Sequence, residues 1–399
     1  QGLMSWEYKT LDQLGEVSRG RSKHRPRNDP SLFGGKYPFI QTADVKAANF
    51  YITEYDTTYN EKGLAQSRLW NPGTLCITIA ANIADTGILA MDACFPDSVM
   101  GFLPYEGIAD VRFVKYCFDI LQQNCKKISQ GAAQDNLSWE KLSTILFPAP
   151  PIEVQTKIAD ILSTYDNLIE NNKKQIKLLE EAAQRLYKEW FVDLRFPGHE
   201  TTPIVDGVPE GWERMVLSEV TSVLKRGISP KYSDNGKYSV INQKCIRSSI
   251  MDISESRRQE KEYAPTLNLQ DSDTVICSTG TGTLGRVGRV YGDYPNTTFD
   301  SHVTLVRAKE NPNYIYHVVK SQQEYLMGMG RGSTNQQELY RDVIERLVVL
   351  CPSQDILLKA DRVLNAIHCK IKAVYLQNNL LVESRDRLLP KLMNGELEV

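Results

Sequence analysis

The chain has 399 residues, long enough for two or three domains with cores of their own. Its hydrophobic content of 41% and charged content of 24% are typical of a soluble protein, and its net charge of −2 provides no global basic field for nucleic acid. Any binding of nucleic acid must therefore come from local basic patches. No apolar run approaches the ~20 residues of a membrane span and no signal peptide is visible, which predicts a cytoplasmic protein.

Residues 1–150 predict a first mixed α/β domain, the first head, built from short apolar strands and turns. Candidate strands lie at residues 37–41, 74–80 and 112–116, separated by clusters of glycine, proline, asparagine and aspartate. The first head is therefore expected to be a compact domain of short elements that ends in a proline-rich stretch at residue 151.

A basic stretch, residues 19–27, lies near the start of the first head. Its five cations alternate with glycine, serine, histidine and proline and include no acid, which predicts a loop with outward-facing charges. Because lysine and arginine supply most of the affinity for the DNA backbone, phosphate contact is the functional interpretation. The alternative is a solvated run of charge.

Residues 151–196 predict a first long helix. Its core positions recur in alternating steps of four and three, the seven-residue repeat that keeps one face of a helix toward a partner helix. At about 1.5 Å per residue the helix is about 50 Å long, so this face needs a partner. The face consists of Ile158, Leu162, Tyr165, Ile169, Asn172, Ile176, Leu179, Ala183, Leu186 and Trp190.

Residues 197–350 contain a linker rich in turn residues and a second mixed domain, the second head. The segment from Gly280 to Gly285 spells G-x-G-x-x-G after a strand-like stretch, which is the signature of a dinucleotide site. However, residues 286–291 continue as a β-like run where such a site requires a helix, so nucleotide binding is disfavoured.

Residues 351–399 predict a second long helix with the same periodicity. Two such helices in one chain can pair antiparallel, and a buried amide is best satisfied by another amide, so we expect Asn172 to face Asn378. That register also places Tyr165 against Arg385 as a cation–π pair. The alternative is two helices packed on separate domains. The face consists of Ala360, Leu364, Ile367, Ile371, Val374, Asn378, Leu381, Arg385, Leu388 and Leu392.

The two halves of the chain form an internal repeat. Trp6-Glu7 matches Trp212-Glu213, and Gly35-Lys36-Tyr37 matches Gly236-Lys237-Tyr238. The predicted fold class is α+β, with two mixed heads separated by two antiparallel helices that form a coiled coil. Pseudo-twofold symmetry would place the heads at opposite ends. Because the sequences of the heads diverge outside the matched positions, the two heads are expected to bind different targets.

Amide- and hydroxyl-rich segments in both heads are candidates for contacts with base edges, since Asn and Gln match adenine and Arg matches guanine. The alternative is that these residues belong to ordinary turns. Together with the phosphate contacts, the candidate DNA-binding residues are Arg19, Arg21, Lys23, Arg25, Arg27, Lys36, Gln41, Thr42, Gln134, Asn136, Lys225, Arg226, Lys231, Tyr232, Gln243, Lys244, Thr281, Arg286, Arg331, Ser333, Thr334, Asn335 and Gln336.

The sequence shows no catalytic constellation. The eight cysteines have no CxxC spacing and the five histidines no HExxH, so reduced thiols are expected and a metal site is not. Asn311-Pro312-Asn313-Tyr314 lacks the second proline of the aminomethyltransferase motif it resembles. A protein that binds and positions without catalysis is predicted; the competing hypotheses are a stand-alone DNA methyltransferase and a coiled-coil scaffold with two protein-binding heads.

The chain resembles the DNA-specificity subunit of type I restriction–modification systems over essentially its whole length. One departure is the start of the first head, which keeps only Trp6 of a Leu-Pro-x-Gly-Trp lead. The resemblance is carried by PIEVQTKIADILS at residues 151–163, WFVDLRFP at 190–197, VPEGW at 208–212 and RLLPKLMNGEL at 387–397.

The resemblance implies that each head is a target recognition domain reading one half of a bipartite, asymmetric double-stranded DNA site, with the helices as a ruler between them. It implies two methyltransferase subunits, docked on charged helix faces that include Lys173, Lys174, Lys177, Glu180 and Glu181, and two motor–nuclease subunits. It also implies no catalysis and no cofactor in this chain. S-adenosylmethionine, ATP and magnesium would belong to the partner subunits.

Overall fold

The fold is that of a computed structural model, which describes residues 6–79, 84–128, 139–330 and 337–399, apart from the side chains of residues 123–128. The chain divides into two compact units: Gln1–Asn172 with Gln377–Val399, and Lys173–Leu376. Each unit thus contains one head and part of both long helices. Among the described residues, no helix is both long enough and apolar enough to cross a membrane.

The first half of the chain contains nine strands and six α-helices among its described residues. In chain order they are β1 Glu7–Lys9, α1 Leu11–Leu14, β2 Gly15–Arg19, β3 Phe33–Phe39, α2 Thr42–Ala47, β4 Tyr51–Ile52, β5 Thr57–Tyr59, α3 Glu61–Ala65, β6 Leu75–Thr78, β7 Thr86–Leu89, β8 Val99–Pro104, α4 Val111–Ile128, α5 Trp139–Leu142, β9 Phe147–Ala149 and α6 Ile152–Tyr187.

The second half has shorter strands and many single 3₁₀ turns before the last helix. Its strands and α-helices are β10 Ile204–Val205, β11 Val208–Pro209, β12 Glu213–Val216, β13 Thr221–Arg226, β14 Tyr238–Ile241, β15 Arg257–Gln259, β16 Thr274–Cys277, β17 Val287–Arg289, β18 Thr297–Phe299, β19 Val303–Ala308, α7 Pro312–Ser321, α8 Gln323–Gly328, α9 Arg341–Glu345, β20 Val348–Cys351 and α10 Gln354–Met393.

The first head is organised around a five-stranded sheet of order β2-β8-β6-β7-β4, in which only the β4–β7 pairing is parallel. Every residue of β6 and β7 is buried, because these strands lie inside the sheet and carry apolar or small side chains. The ribbon β3–β5 and the pair β1–β9 complete the head.

Residues 112–116, predicted as a strand, belong to helix α4. Six consecutive residues, 113–118, are buried, and the apolar ones among them belong to the first head's core. A short, continuously buried run is common to buried strands and buried helices, which explains the wrong prediction. The predicted strands at 37–41 and 74–80 are confirmed in type, as β3 and β6.

The second head repeats this organisation with a four-stranded sheet of order β13-β19-β16-β17 and a three-stranded sheet of order β15-β14-β18. The pair β12–β20 joins the start of the head to its end, as β1–β9 does in the first head. The predicted internal repeat is therefore confirmed at the level of strand pairing, and the G-x-G-x-x-G segment is the turn between two antiparallel strands, β16 and β17.

Matching glycines mark a close backbone approach in each head. A Cβ atom on Gly20 would lie 2.3 Å from the carbonyl oxygen of Pro96, and one on Gly227 would lie 2.2 Å from that of Asp300. The Gly20 N–H donates to the carbonyl of Val99 over 2.8 Å, and the Gly227 N–H donates to that of Val303 over 3.0 Å. Both carbonyls belong to the first residue of the strand that pairs with the one before the glycine, β8 or β19. Only glycine fits at either position without displacing this backbone.

In the first unit, α6 and α10 pack antiparallel. Ile158 and Leu162 share a buried cluster with Leu389 and Leu392. Farther along the pair, Asn172 Nδ2 donates to Asn378 Oδ1 over 3.0 Å, so the predicted register is confirmed at its defining contact.

The expected partner of Arg385 was Tyr165, but its guanidinium instead pairs with Asp166. Arg385 Nη1 lies 2.5 Å from Asp166 Oδ1, and Tyr116 donates to the other oxygen of that carboxylate. A carboxylate attracts a guanidinium more strongly than an aromatic face does, which explains the difference.

In the second unit, Ile176 and Leu179 of α6 pack with Ile367 and Ile371 of α10. The α-helical part of α6 ends at Tyr187, and a single π-helical turn, Lys188–Val192, follows. Trp190 in this turn packs against the cluster that contains Ala360, so a large residue lies beside a small one.

Candidate nucleic-acid interface

The basic stretch of the first head begins where β2 ends. Its backbone continues extended beyond Arg19, with the N–H of Arg21 donating to the carbonyl of Phe95 over 3.0 Å. Gly20 and Ser22 are buried, while Arg19, Arg21 and Lys23 are exposed, as period-two alternation requires. Among the described residues, none of these three cations forms an ion pair. We call Arg19, Arg21 and Lys23 the cationic strip.

The remaining cations of this stretch are engaged, Arg25 within its own loop and Arg27 with Asp97 of the turn before β8. Arg25 Nη1 donates to the carbonyls of Ser22 and His24 over 2.7 and 2.8 Å, and Arg27 Nη2 lies 2.8 Å from Asp97 Oδ2. The loop is also stabilised by Asp29, whose carboxylate accepts from Ser31 and His24. These hydrogen bonds, above all that from the Ser31 backbone, lower the pKa of Asp29 to about 2.

Three further candidates of the first head lie around β3 and the start of α2. Lys36 is exposed, with its Nζ 3.4 Å from Glu61 Oε1. Gln41 precedes α2, and its Nε2 donates to Thr57 Oγ1 over 3.3 Å. This bond uses one hydrogen of its exposed side-chain amide. Thr42 is the half-buried first residue of α2.

In the second head, the segment that matches the cationic strip differs in charge. Lys225 is exposed, but Arg226 is half-buried, donates from Nε to the carbonyl of Ser301 over 2.5 Å, and pairs with Glu338. Lys231 pairs with Glu260. At the positions that match Arg19 and Arg21, the second head therefore carries one paired cation, Arg226, and the apolar Ile228.

Tyr232 lies on the same edge of the second head, beside a basic pair that the sequence analysis missed. The guanidinium of Arg257 lies 3.7 Å from the centre of the Tyr232 ring, and Arg258 is exposed on the same strand. These three side chains line a polar cavity of about 430 Å³ together with Ser233. The adjacent arginines were the available signal, and stacked arginine and tyrosine are suited to nucleic-acid contact.

Gln243 and Lys244 follow β14 in a 3₁₀ turn. The side chain of Lys244 is exposed, whereas Gln243 Nε2 donates to Thr279 Oγ1 over 3.1 Å. That hydroxyl lies 2.6 Å from Nδ1 of His302, an exposed residue absent from the sequence prediction. No sequence signal points to His302, because the three side chains meet only through the fold.

Thr281 and Arg286 lie in the β16–β17 turn. Thr281 is exposed, and Arg286 is half-buried at a cavity of about 240 Å³ lined also by Gln184 and Lys320. Arg286 therefore sits where the second head meets α6. The other candidates, in the glycine-following loops, lie outside the described residues: Gln134, Asn136, Arg331, Ser333, Thr334, Asn335 and Gln336.

One residue predicted for the charged outer face of α6 lies elsewhere. Glu180 is half-buried and accepts a hydrogen bond from Ser249 Oγ over 2.5 Å, and burial raises the pKa of its carboxyl. Its position on the seam side of the helix explains the difference, since it packs beside the second head. Lys174 is exposed, as expected.

Within the described residues, no group of three histidine, cysteine or acidic side chains is arranged to hold a metal ion. Five cysteines are free and buried, and Cys369 is free and exposed on α10. The candidate residues that the structure describes include exposed cations, amides and aromatic side chains on the two heads. Groups of these kinds contact phosphates and bases.

Comparison with known proteins agrees with this geometry. A family model described as "Type I restriction modification DNA specificity domain" matches residues 4–181 and 209–356, one match in each half. The chain is 27% identical over 414 aligned positions to the specificity subunit of the type I restriction enzyme MjaIX of Methanocaldococcus jannaschii, covering 99% of this chain and 94% of that protein.

Two further similarities cover nearly the whole chain. The specificity subunit of the type I restriction enzyme HindI of Haemophilus influenzae is 23% identical, with 96% of this chain and 98% of that protein aligned. The crystal structure of a type I restriction–modification S subunit from M. genitalium shares the fold, with a TM-score of 0.58 at 15% identity over 98% of this chain and 97% of that chain. The resemblance predicted from the helix starts and ends is confirmed. Since both halves match the family model, this chain belongs to the type I restriction–modification DNA specificity family.

Proposed function

We propose that this chain is the non-catalytic subunit that selects the DNA sequence for a type I restriction–modification complex. The observation that carries the proposal is the cationic strip, three exposed cations on one edge of the first head with no ion-pair partner among the described residues. Such cations contribute to DNA affinity by releasing counterions from phosphates. The matching family model, described as a DNA specificity domain, supports assigning this affinity to DNA, and we propose double-stranded DNA as the target.

We further propose that the two heads read two different half-sites of one bipartite sequence. The support is a repeated strand pairing with divergent surfaces. Where the first head carries free Arg19 and Arg21, the second carries the paired Arg226 and the apolar Ile228. Heads with one scaffold and different exposed groups are expected to prefer different bases, which makes the recognised sequence asymmetric.

Two methyltransferase and two motor–nuclease subunits are proposed to assemble with the chain through the long helices. The helices expose apolar side chains that a coiled coil does not bury itself, such as Leu178 at 65% and Leu380 at 64% exposure. S-adenosylmethionine, ATP and magnesium are assigned to those partners, because the one G-x-G-x-x-G segment of this chain is a hairpin turn and not a helix start. Native mass spectrometry of the complex tests the stoichiometry.

The test of DNA binding is a salt titration. Replacing Arg19, Arg21 and Lys23 together with alanine is expected to weaken duplex binding for all sequences and to lower the slope of log affinity against log salt by about 3. A matched control replaces three exposed lysines of the helices, Lys157, Lys370 and Lys391, so that the net charge falls equally.

An unchanged salt slope in the strip variant would remove the cationic strip from the interface. Binding without sequence preference, even with the partner subunits present, would favour the scaffold hypothesis. Methyl transfer by the purified chain alone would establish the methyltransferase hypothesis.

A further inference from the structure

The second head contains a hydrogen-bonded chain of three side chains from separate elements. Gln243 lies in the turn after β14, Thr279 follows β16, and His302 precedes β19. Gln243 Nε2 donates to Thr279 Oγ1 over 3.1 Å, and that hydroxyl lies 2.6 Å from His302 Nδ1. Gln243 and Thr279 are half-buried, while His302 is exposed.

The hydrogen bonds specify which ring nitrogen of His302 carries a proton. The Thr279 hydroxyl accepts from Gln243, and among the described residues Nδ1 of His302 is the one acceptor within hydrogen-bond distance of its single hydrogen, so the hydroxyl donates to Nδ1. An imidazole that accepts at Nδ1 carries its proton at Nε2 when neutral. His302 therefore presents an N–H donor at Nε2, and no described residue accepts from it.

The backbone around His302 is also fixed. Its N–H donates to Asp300 Oδ1 over 2.9 Å, and its carbonyl accepts from the N–H of Ser278 over 2.8 Å. The neighbouring Ser301 carbonyl accepts from Arg226, whose other end pairs with Glu338. The donor is thus preorganised on the rigid sheet of the head, as specific recognition requires.

The matching position of the first head shows that the fold does not need this histidine. Ser98 occupies it: the N–H of Ile79 donates to the Ser98 carbonyl over 3.2 Å, as the N–H of Ser278 does to His302. Strand register supports the match, since Thr78 pairs with Val99 and Cys277 pairs with Val303. The imidazole is therefore a feature of the second head's surface and not of the scaffold.

We propose that His302 is a specificity-determining residue of the second head, where its Nε2–H donates to an acceptor on a base edge. The acceptors of this kind in the major groove are purine N7, guanine O6 and thymine O4. Gln243 and Thr279 are positioning residues that hold the tautomer. This inference rests on the proposed function, because it names a residue that reads part of the second half-site.

A base edge suits this donor better than a phosphate does. The Asp300 carboxylate accepts from the backbone N–H of His302 over 2.9 Å, whereas the charge of Glu338 is balanced by its ion pair with Arg226. The negative charge of Asp300 next to this residue disfavours an approaching phosphate more than it disfavours a neutral base. A donor with one fixed hydrogen also distinguishes acceptors from donors on a base, which is the requirement for sequence readout.

The test uses the full chain, purified from its own cells with the subunits that it carries, and duplexes selected from a randomised pool. The wild-type protein is expected to select a bipartite motif. His302→Ala is expected to lower discrimination by about tenfold at one base pair of one half-site and to leave the other positions unchanged. Thr279→Val, which removes the hydroxyl but keeps the shape, is expected to lower discrimination at the same base pair by a smaller factor.

His199→Ala is the matched control, because His199 is also partly exposed and bonds through Nδ1, to the Phe196 carbonyl over 2.9 Å, but lies in the linker. His302→Gln guards against misfolding: glutamine keeps an N–H donor, and we expect preference at the same base pair to shift toward adenine.

An unchanged motif in both His302 variants would overturn the inference. Equal weakening for all sequences, with a salt slope lower by about 1, would also overturn it and would assign His302 to a phosphate. If the wild-type protein selected no motif, the proposed function itself would fail.

Discussion

Asn172 donates a hydrogen bond to Asn378 over 3.0 Å inside the seam of the long helices. The two side chains are 4% and 8% exposed, so each amide depends on the other for its buried hydrogen bond. Asn172 also donates to Gln377 over 3.1 Å, which uses both hydrogens of its amide. A single polar contact in an apolar seam fixes the alignment of two helices, because any other alignment leaves amides unpaired.

Asn172→Leu is expected to destabilise the first unit by about 1–3 kcal/mol, since Asn378 would remain buried without its partner. The double variant Asn172→Leu, Asn378→Leu is expected to recover that stability but to lose the unique register. Urea unfolding combined with hydrogen exchange of the helix amides measures both effects, and Asn171→Leu on the exposed face is the control. Equal stability of the single variant and the wild type would contradict this prediction.

The helix pair was predictable because its signals are local and repeated. The seven-residue periodicity extends over nine steps in each helix, and the asparagines supply the register within it. Helix α4 was missed at residues 112–116, because the short, continuously buried run 113–118 cannot be distinguished from a buried strand by its periodicity.

The surface of the heads was less predictable, because it depends on contacts between distant residues. Arg25 and Arg27 look like Arg21 in sequence, yet Arg25 bonds within its own loop and Arg27 pairs with the distant Asp97. The ring of His302 is oriented by a hydrogen bond to Thr279, 23 residues away, which in turn accepts from Gln243. Composition reports which groups are present, whereas tertiary contacts decide which of them remain free.

Among several polar contacts between each head and a long helix, one pair lies at matching positions of the two units. In the first unit, Arg112 Nη1 donates to Asp160 Oδ1 over 2.7 Å, and in the second, Asn313 Nδ2 donates to Asp361 Oδ1 over 2.9 Å. The first contact joins two charges and the second only one, so the first is expected to be the stronger.

Asp160→Asn and Asp361→Asn are therefore expected to differ. The first should accelerate hydrogen exchange in α4 more than the second does in α7, with a stability loss of about 1–2 kcal/mol for Asp160→Asn. Glu153→Gln, an exposed acid in the first turn of α6, is the control. A larger effect of Asp361→Asn would show that the contact with a single charge, Asn313–Asp361, is the stronger one.

Gly20 links the fold of the first head to its cationic strip. An added Cβ would lie 2.3 Å from the Pro96 carbonyl oxygen and 2.4 Å from the Phe95 ring, and neither rigid group can move aside cheaply. Gly20→Ala is expected to cost about 1–3 kcal/mol and to weaken duplex binding, since Arg19 and Arg21 would be displaced. Gly328→Ala, where a Cβ would meet nothing within 4 Å, is the control for the loss of glycine. Thermal unfolding and the salt titration measure the two effects, and tolerance of Gly20→Ala in both would contradict the close approach.

Two buried histidines make the stability of the second unit depend on pH. His317 Nε2 lies 3.0 Å from His368 Nε2, and His368 Nδ1 lies 2.8 Å from the Tyr291 hydroxyl. Burial, reinforced by the charge of Arg289, lowers the pKa of His317 to about 3 and that of His368 to about 2. Because the unfolded histidines titrate near 6.5, the unfolded chain binds more protons between these values. Stability from this pair is therefore complete above about pH 6.5 and is lost as the pH falls toward 3.

Two buried carboxyl groups change the stability of this unit with pH in the opposite direction. The contribution of the histidine pair is therefore measured as a difference between variants. Burial raises the pKa of Glu180 and Asp273 in the same unit, so their contribution to stability increases as the pH falls. The measurement is the difference in urea midpoint between pH 7.5 and pH 5 for the wild type and for the double variant His317→Gln, His368→Gln. We expect the acid loss to be smaller in the double variant, and unchanged in His199→Ala, because His199 is partly exposed. An identical pH dependence in the double variant and the wild type would show that the histidine pair does not carry the effect.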